Sequence, residues 1–201
     1  MFPKRLTKRQ RTRIITLLFS LLIAGLVWVG QEAGWIDKAS ETAQNTVQQT
    51  QPGLYNVIRF EDGDTITVNM NGVTERIRFI GVDTPETQDP RKPVQCFGKA
   101  AANFTKDLIG KQSVRLEADP LNTNRDRYNR LLRYVYLPDG RLVNAEIIKQ
   151  GYGFAYLSFP FTKSDEFRLY QSQARTENQG LWGACEPTEN EYGGFDANPE
   201  N

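Results

Sequence analysis

Residues 61–87 read EDGDTITVNMNGVTERIRFIGVDTPET. Asp64 to Met70 (DTITVNM) alternates with period two, as a half-buried strand does. Asn71-Gly72 follows, the strongest short hairpin-turn signal, and Val73 to Val82 (VTERIRFIGV) returns as the partner strand. Upstream, Leu54 to Phe60 is rich in β-formers and stops at Glu61-Asp62-Gly63, which makes a three-stranded meander. Downstream, Gly98 to Ile109 puts Ala101, Thr105, Leu108 and Ile109 on one helical face, and Gly110 ends it. Gln112 to Ala118 and Leu131 to Leu137 (LLRYVYL) read as strands separated by a polar loop. Asn144 to Gln150 reads as a short helix. Ser164 is placed to N-cap a last helix running to about Asn178, with Asp165 and Glu166 in its first turn and Phe167, Tyr170 and Ala174 facing in. The order βββαββαα predicts an α+β domain: a five-stranded β-barrel of OB-fold type carrying about three helices.

The flanks differ in composition. Residues 1–13 hold six cations and no acid, a basic cytoplasmic head. Ile14 to Gln31 (IITLLFSLLIAGLVWVGQ) then runs eighteen residues without a charge, long enough to span a bilayer. Trp28 and Trp35 suit an interfacial belt, and no A-x-A pattern follows to favour cleavage, so residues 14–36 read as a transmembrane signal anchor. Basic residues before the segment place the N-terminus in the cytoplasm and the body of the chain outside it. Residues 37–53 form a Thr/Gln-rich tether, residues 54–183 the folded domain, and residues 184–201, with five acids and no base, an acidic disordered tail. The formal net charge of +1 is therefore an average: +6 in the head, +2 in residues 53–183 (18 basic, 16 acidic) and −5 in the tail.

The composition also excludes chemistry. With no histidine in 201 residues there is no histidine base, metal ligand or pH switch. Two cysteines cannot build a Cys₄ zinc site. What remains is carboxylates, arginines, hydroxyls and oxygen-liganded metals. Asp62 and Asp64 flank a glycine turn, while Asp83 and Glu86 sit where the third strand ends, so their carboxylates can converge as hard ligands for a cation such as Ca²⁺. Pro85 fixes a turn that aims the Thr84 carbonyl and the Glu86 side chain. Arg78 and Arg130 come from different strands or strand edges, and a guanidinium fork matches phosphate oxygens. Singly, an Asp-Gly-Asp is a turn and a strand arginine a solvated charge. Combined, metal, carboxylate and two guanidiniums describe a phosphoryl-transfer site.

The run EDGDTITVNMNGVTERIRFIGVDTPET, followed by RDRYNR at 125–130, resembles the staphylococcal nuclease (thermonuclease) family from about Asn56 to Trp182. That family is an OB-fold of Ca²⁺-dependent nucleases that cleave DNA and RNA and leave 3′-phosphates. The resemblance implies Ca²⁺ on Asp64, Asp83 and the Thr84 carbonyl, with Glu86 positioning or deprotonating the attacking water. It implies Arg78 and Arg130 on the phosphate, Arg127 and Tyr128 on the other phosphate of the nucleotide, and Tyr156 near the nucleotide. Asp62 is left to shape its turn. Asn129 stands where the family has glycine before the arginine. If that position needs positive φ, asparagine tolerates it next best.

Cys96 and Cys185 lie outside the predicted elements, and an even count outside the cytoplasm predicts a disulfide between them. The expectation is a monomeric, single-pass, extracytoplasmic nuclease of little sequence preference, acting on DNA or RNA, with no protein partner and with release possible if the anchor is cut. The rival is a non-catalytic OB-fold module that captures nucleic acid. Retention of every carboxylate and arginine of the site favours the enzyme.

Overall fold

A computed structural model of the chain describes residues 9, 16, 53–87, 93–191 and 193–200. The basic head, the predicted anchor and the tether lie outside the described residues, apart from Arg9, Thr16 and Gly53. Among the described residues, no helix is long and apolar enough to cross a membrane.

The meander forms as its alternation requires. β1 (Leu54–Asp62) pairs antiparallel with β2 (Thr65–Met70), which pairs antiparallel with β3 (Val73–Phe79) from Thr65↔Arg78 to Met70↔Val73. Asn71 and Gly72 both take positive φ, 55° and 94°, and Asn69 Oδ1 accepts from the Gly72 amide at 2.6 Å. This is the turn that matches the twist of a two-residue hairpin. Two register shifts in β1 let it bend, so its first residues pair with β5 (Ser113–Glu117) and its remainder with β2. β6 (Leu131–Tyr136) pairs antiparallel with β5 and parallel with β3, which closes a five-stranded barrel in the order β1-β2-β3-β6-β5. Ile66, Val68, Ile77, Phe79, Leu131 and Val135 fill its interior.

The third strand is shorter than the sequence suggests. It stops at Phe79, Gly81 turns the chain with φ 71°, and β4 (Val82–Asp83) leaves the barrel to pair with β7 (Phe154–Ala155). A Cβ on Gly81 would lie 2.6 Å from the Phe161 ring, so packing as well as φ requires glycine there. Asn144, wholly buried, secures this break: its Nδ2 donates to the Ile80 carbonyl at 2.9 Å and its Oδ1 accepts from the Val135 amide at 2.9 Å.

Among the described residues, four helices accompany the barrel: α1 (Gly98–Ile109), α2 (Val143–Lys149), α3 (Ser164–Thr176) and a single turn, α4 (Leu181–Ala184). Ala101, Thr105 and Ile109 of α1 are buried, as are Phe167, Gln171 and Ala174 of α3, while Leu108 and Tyr170 are half-buried. Ser164 does not cap α3. The Phe167 amide bonds the Lys163 carbonyl at 3.0 Å, so the helix begins one residue earlier and Lys163 takes the capping position without a side-chain bond.

Residues 184–191 and 193–200 differ from the expectation of a disordered tail. Cys185 is bonded to Cys96, β8 (Thr188–Glu189) pairs with β9 (Phe195–Asp196), and Ala197 is buried. Phe195 packs edge-on against Trp182 at 4.9 Å, under the Arg175 guanidinium. The five acids dominated the composition, whereas two apolar anchors and backbone pairing decide the structure.

Candidate active site

Asp64 follows the Gly63 turn, and that turn is held from outside the sheet: the buried Thr105 hydroxyl of α1 donates to the Gly63 carbonyl at 2.6 Å. The Asp64 carboxylate is nearly buried. Its Oδ1 accepts from the Thr65 hydroxyl at 2.9 Å, and its Oδ2 from the Thr84 amide at 2.9 Å and hydroxyl at 3.1 Å. Arg78, opposite Thr65 in the β2–β3 register, reaches the same oxygen with Nη1 at 2.9 Å. Nη1 also donates to the Val82 carbonyl at 2.6 Å and Nη2 to Asp83 Oδ1 at 3.0 Å. One guanidinium thus ties the end of β4 to the start of β2. Burial alone would lower the Arg78 pKa, but Asp64, Asp83 and Asp62 raise it above its ordinary value, so it stays charged.

Arg130 arrives at a strand edge, one residue before β6. Asp126 holds it through Oδ2 to Nε at 2.7 Å and through Oδ1 to its amide at 2.9 Å. Asn129 has φ 63°, the left-handed conformation that this departure from glycine puts in question, and it delivers Arg130 to the site. Arg130 Nη1 lies 3.4 Å from the Thr65 hydroxyl, which links it to Asp64. The loop is anchored at both shoulders. Arg125 makes a bidentate pair with Glu75 at 2.8 and 2.9 Å, and wholly buried Arg133 bonds the Leu132 carbonyl and Asn124 Oδ1 at 2.7 Å each. Burial pulls the Arg133 pKa down to about 10.

Asp64, Asp83, Thr84, Glu86, Arg78, Arg130 and Tyr128 line one cavity of about 360 Å³, together with Asp62, Thr65 and Arg76. Arg127 and Tyr156 line an adjoining groove of about 670 Å³ that shares Arg78, Asp83, Tyr128 and Arg130 with it. The Tyr156 amide bonds the Gly81 carbonyl at 2.9 Å, which sets its ring beside that of Phe159, 5.9 Å away. Every residue singled out from the sequence for the site therefore faces one of two connected spaces. The Cys96–Cys185 bond is made, with a Cα–Cα distance of 5.8 Å.

Asp62 carries more than the shape of a turn. Burial, then the nearby charges of Asp64 and Glu86, push its carboxyl up to about 7 despite a hydrogen bond from the Gly63 amide. This corner of the cavity gathers the carboxyls of Asp62, Asp64 and Glu86, with Arg78 paired to Asp64, and such hard oxygen donors suit a cation such as Ca²⁺. Among the described residues, no group of three or more His, Cys, Asp or Glu side chains is placed to hold a metal. The carboxylates of Asp64 and Asp83 and the Thr84 carbonyl are oxygen donors of the type Ca²⁺ takes.

Several partners of the site escape sequence reading: Thr65, Thr105, Asp126 and Gln95, the last bonded to the Glu86 backbone. Asp126 had a signal, since an acid ahead of an Asn-containing turn with an arginine at i+4 forms an Asx-type clasp. The others depend on contacts made only in the fold.

A sequence model of the family described as staphylococcal nuclease homologue matches residues 76–184. The thermonuclease of Staphylococcus hyicus is 36% identical over 176 residues, covering 87% of this chain and 98% of that protein. The thermonuclease of Staphylococcus intermedius is 46% identical over 125 residues, covering 62% and 71%. Endonuclease YncB of Bacillus subtilis (strain 168) is 37% identical over 150 residues, covering 73% and 70%. The family match takes in more than half the chain, including both arginines and the DTPE run, and on this ground the chain belongs to the staphylococcal nuclease homologue family.

Proposed function

We propose that the chain is a Ca²⁺-dependent phosphodiesterase, an endonuclease that cleaves DNA or RNA with little sequence preference and leaves 3′-phosphates. The observation that carries this is the meeting of Arg78 and Arg130 with Asp64, Asp83 and Glu86 on one cavity. The names of the relatives, thermonuclease and endonuclease, support it.

A phosphodiester seated between Arg78 and Arg130 meets two guanidiniums with different duties. Arg78, held by Asp64, Asp83 and Val82, is oriented in advance, and Arg130 is set by Asp126. As water attacks phosphorus, charge grows on the phosphoryl oxygens and both guanidiniums bind it more tightly than in the ground state. Glu86 takes the proton of the attacking water; with no histidine in the chain, it is the carboxylate placed for that role. The P–O bond to the 5′ oxygen breaks with its electron pair going to that oxygen, which takes a proton from solvent, and the products are a 5′-hydroxyl and a 3′-phosphate. Asp64, Asp83 and the Thr84 carbonyl would hold Ca²⁺, and the chemistry a bound ion supplies is Lewis-acid polarisation of a phosphoryl oxygen. Contacts to phosphate carry no sequence information, which accounts for the low specificity. Tyr128 and Tyr156, 58% and 39% exposed in the groove beside the arginines, offer faces for bases.

We further infer that residues 14–36 anchor the enzyme in the membrane with the barrel outside the cytoplasm. The Cys96–Cys185 disulfide, a bond of oxidising compartments, supports that side. Protease digestion of intact cells should remove the barrel and leave the head. Catalysis is tested by a Ca²⁺ titration with single-stranded and duplex DNA, with and without EDTA, and end-group analysis of the products. Cleavage that requires Ca²⁺ and yields 3′-phosphates is expected. Binding without cleavage at every Ca²⁺ level would assign the chain to nucleic-acid capture instead.

A further inference from the structure

Glu86 lies beyond the end of β4, outside regular secondary structure, so its placement must come from neighbours. Its Oε1 accepts from the Thr87 amide at 2.9 Å, and its backbone makes two hydrogen bonds to one residue, Gln95. The Glu86 amide donates to Gln95 Oε1 at 2.7 Å, and the Gln95 amide donates back to the Glu86 carbonyl at 3.0 Å. Beneath the pair sits the first residue of α1. A Cβ on Gly98 would come within 2.6 Å of the Thr87 side chain, 3.1 Å of the Pro85 carbonyl and 3.2 Å of the Glu86 carbonyl, so the helix supports this loop from directly below.

Gln95 is held in turn by the end of the chain. The Cys96 amide donates to the Asn198 carbonyl at 2.7 Å and the Glu200 amide to the Val94 carbonyl at 2.8 Å, with Gln95 opposite Pro199 in an antiparallel bridge. Lys99 and Glu200 pair at 3.1 Å. Asn198 Nδ2 donates to the Cys185 and Glu186 carbonyls at 3.2 and 2.9 Å, and the Cys96–Cys185 disulfide closes the ring. Tail, disulfide, Gln95 and Glu86 form one continuous chain of contacts.

We propose that Gln95 is a positioning residue for Glu86, and that the disulfide-fastened C-terminal tail is what keeps Gln95 in place. The acidic tail is therefore part of the catalytic apparatus, and reduction of the disulfide slackens the carboxylate that receives the water's proton. The inference rests on the hydrolytic reading of the site for its kinetic consequence, though not for its structural one.

The test uses the full chain with single-stranded DNA and Ca²⁺. Gln95→Ala should lower kcat by about ten- to a hundredfold, the scale on which small misplacements of a reacting group act, while KM and the melting temperature hold near wild type. In a Glu86→Gln background the same change should cost nothing further, because Gln95 acts through Glu86. Amide hydrogen exchange gives a readout independent of activity. Exchange at Glu86 should accelerate in Gln95→Ala and in the Cys96→Ser/Cys185→Ser pair, while barrel amides such as Phe79 keep their protection. An unchanged kcat in Gln95→Ala, an equal loss in the Glu86→Gln background, or unaltered exchange at Glu86 would overturn the proposal. If the wild type cleaves nothing, the hydrolytic reading falls, and the Glu86 exchange rates still decide whether the clasp exists.

Discussion

Asn129 holds φ 63° immediately before Arg130, and the side chain that stands there decides how cheaply that guanidinium is delivered. Asn129→Gly should leave kcat unchanged or raise it, because glycine takes the left-handed region freely, whereas Asn129→Val should cost about 1–2 kcal/mol of stability in urea unfolding. Arg78 tests the opposite property, geometry under constant charge. Its two terminal nitrogens serve different partners, Asp64 with the Val82 carbonyl on one and Asp83 on the other. A lysine cannot span them. Arg78→Lys should lower kcat on single-stranded DNA by roughly a hundredfold or more, with CD spectra showing the fold retained. At this scale the sequence was most informative about groups that do chemistry, since their types are restricted. It was least informative about the hydroxyls and carboxylates that orient them. Thr65 and Asp126 matter through register and loop closure, which a linear pattern does not display. Asp62 looked like a turn residue because the turn is local, whereas its burial beside Asp64 and Glu86 is tertiary.

Strands β2 and β3 carry their own instructions, an alternating pattern on either side of Asn71-Gly72, and they form where that pattern places them. Boundaries fail where a partner from elsewhere intervenes. The break at Gly81 is enforced by Phe161 and by Asn144, the latter 64 residues beyond the Ile80 carbonyl it binds, and α3 starts early because of the turn before it. That turn has its own lock. Asp119 accepts from the Tyr134 hydroxyl at 2.6 Å, the Thr162 hydroxyl at 2.6 Å, and the Thr162 and Leu121 amides at 2.8 Å each, joining β6 to the loop after β5 and to the entry of α3. Burial would raise the Asp119 pKa, but the hydrogen bonds from Thr162 and Tyr134 outweigh it, and the carboxyl lies below its ordinary value of 3.8. Since the folded pKa lies below the unfolded one, the stabilisation is fully present above about pH 4 and is lost as pH falls through the folded value. Asp119→Asn should therefore destabilise the protein by about 1.5–3 kcal/mol at pH 7, the scale of hydrogen bonds to a charged group. The gap from wild type in urea midpoints should narrow as the pH is taken below 3.8. A gap that is constant with pH would assign the effect to shape rather than charge.

The whole molecule departs from its sequence portrait chiefly at the C-terminus. Charge composition marked residues 184–201 as solvent-exposed tail, yet Phe195 and Ala197 find an apolar seat against Trp182, and the disulfide holds the segment to the entry of α1. The cysteines were legible as a pair, while the course of the chain between the second cysteine and its end was not. The bond spans 89 residues, and on the chain-entropy account its removal should cost about 4–5 kcal/mol, seen as a lower urea midpoint for Cys96→Ser/Cys185→Ser under non-reducing conditions. The central claim concerns what this assembly does: it hydrolyses phosphodiesters with carboxylates and arginines, in a chain without a histidine. The most direct measurement is kcat for single-stranded DNA cleavage by wild type and Glu86→Gln across a Ca²⁺ titration. Wild type should cleave only with Ca²⁺ present, and Glu86→Gln, equal in size and unable to accept the proton, should lose at least about a hundredfold in kcat while binding DNA as tightly. Equal turnover by the two proteins, or wild type that binds DNA and never cleaves it, would contradict the account.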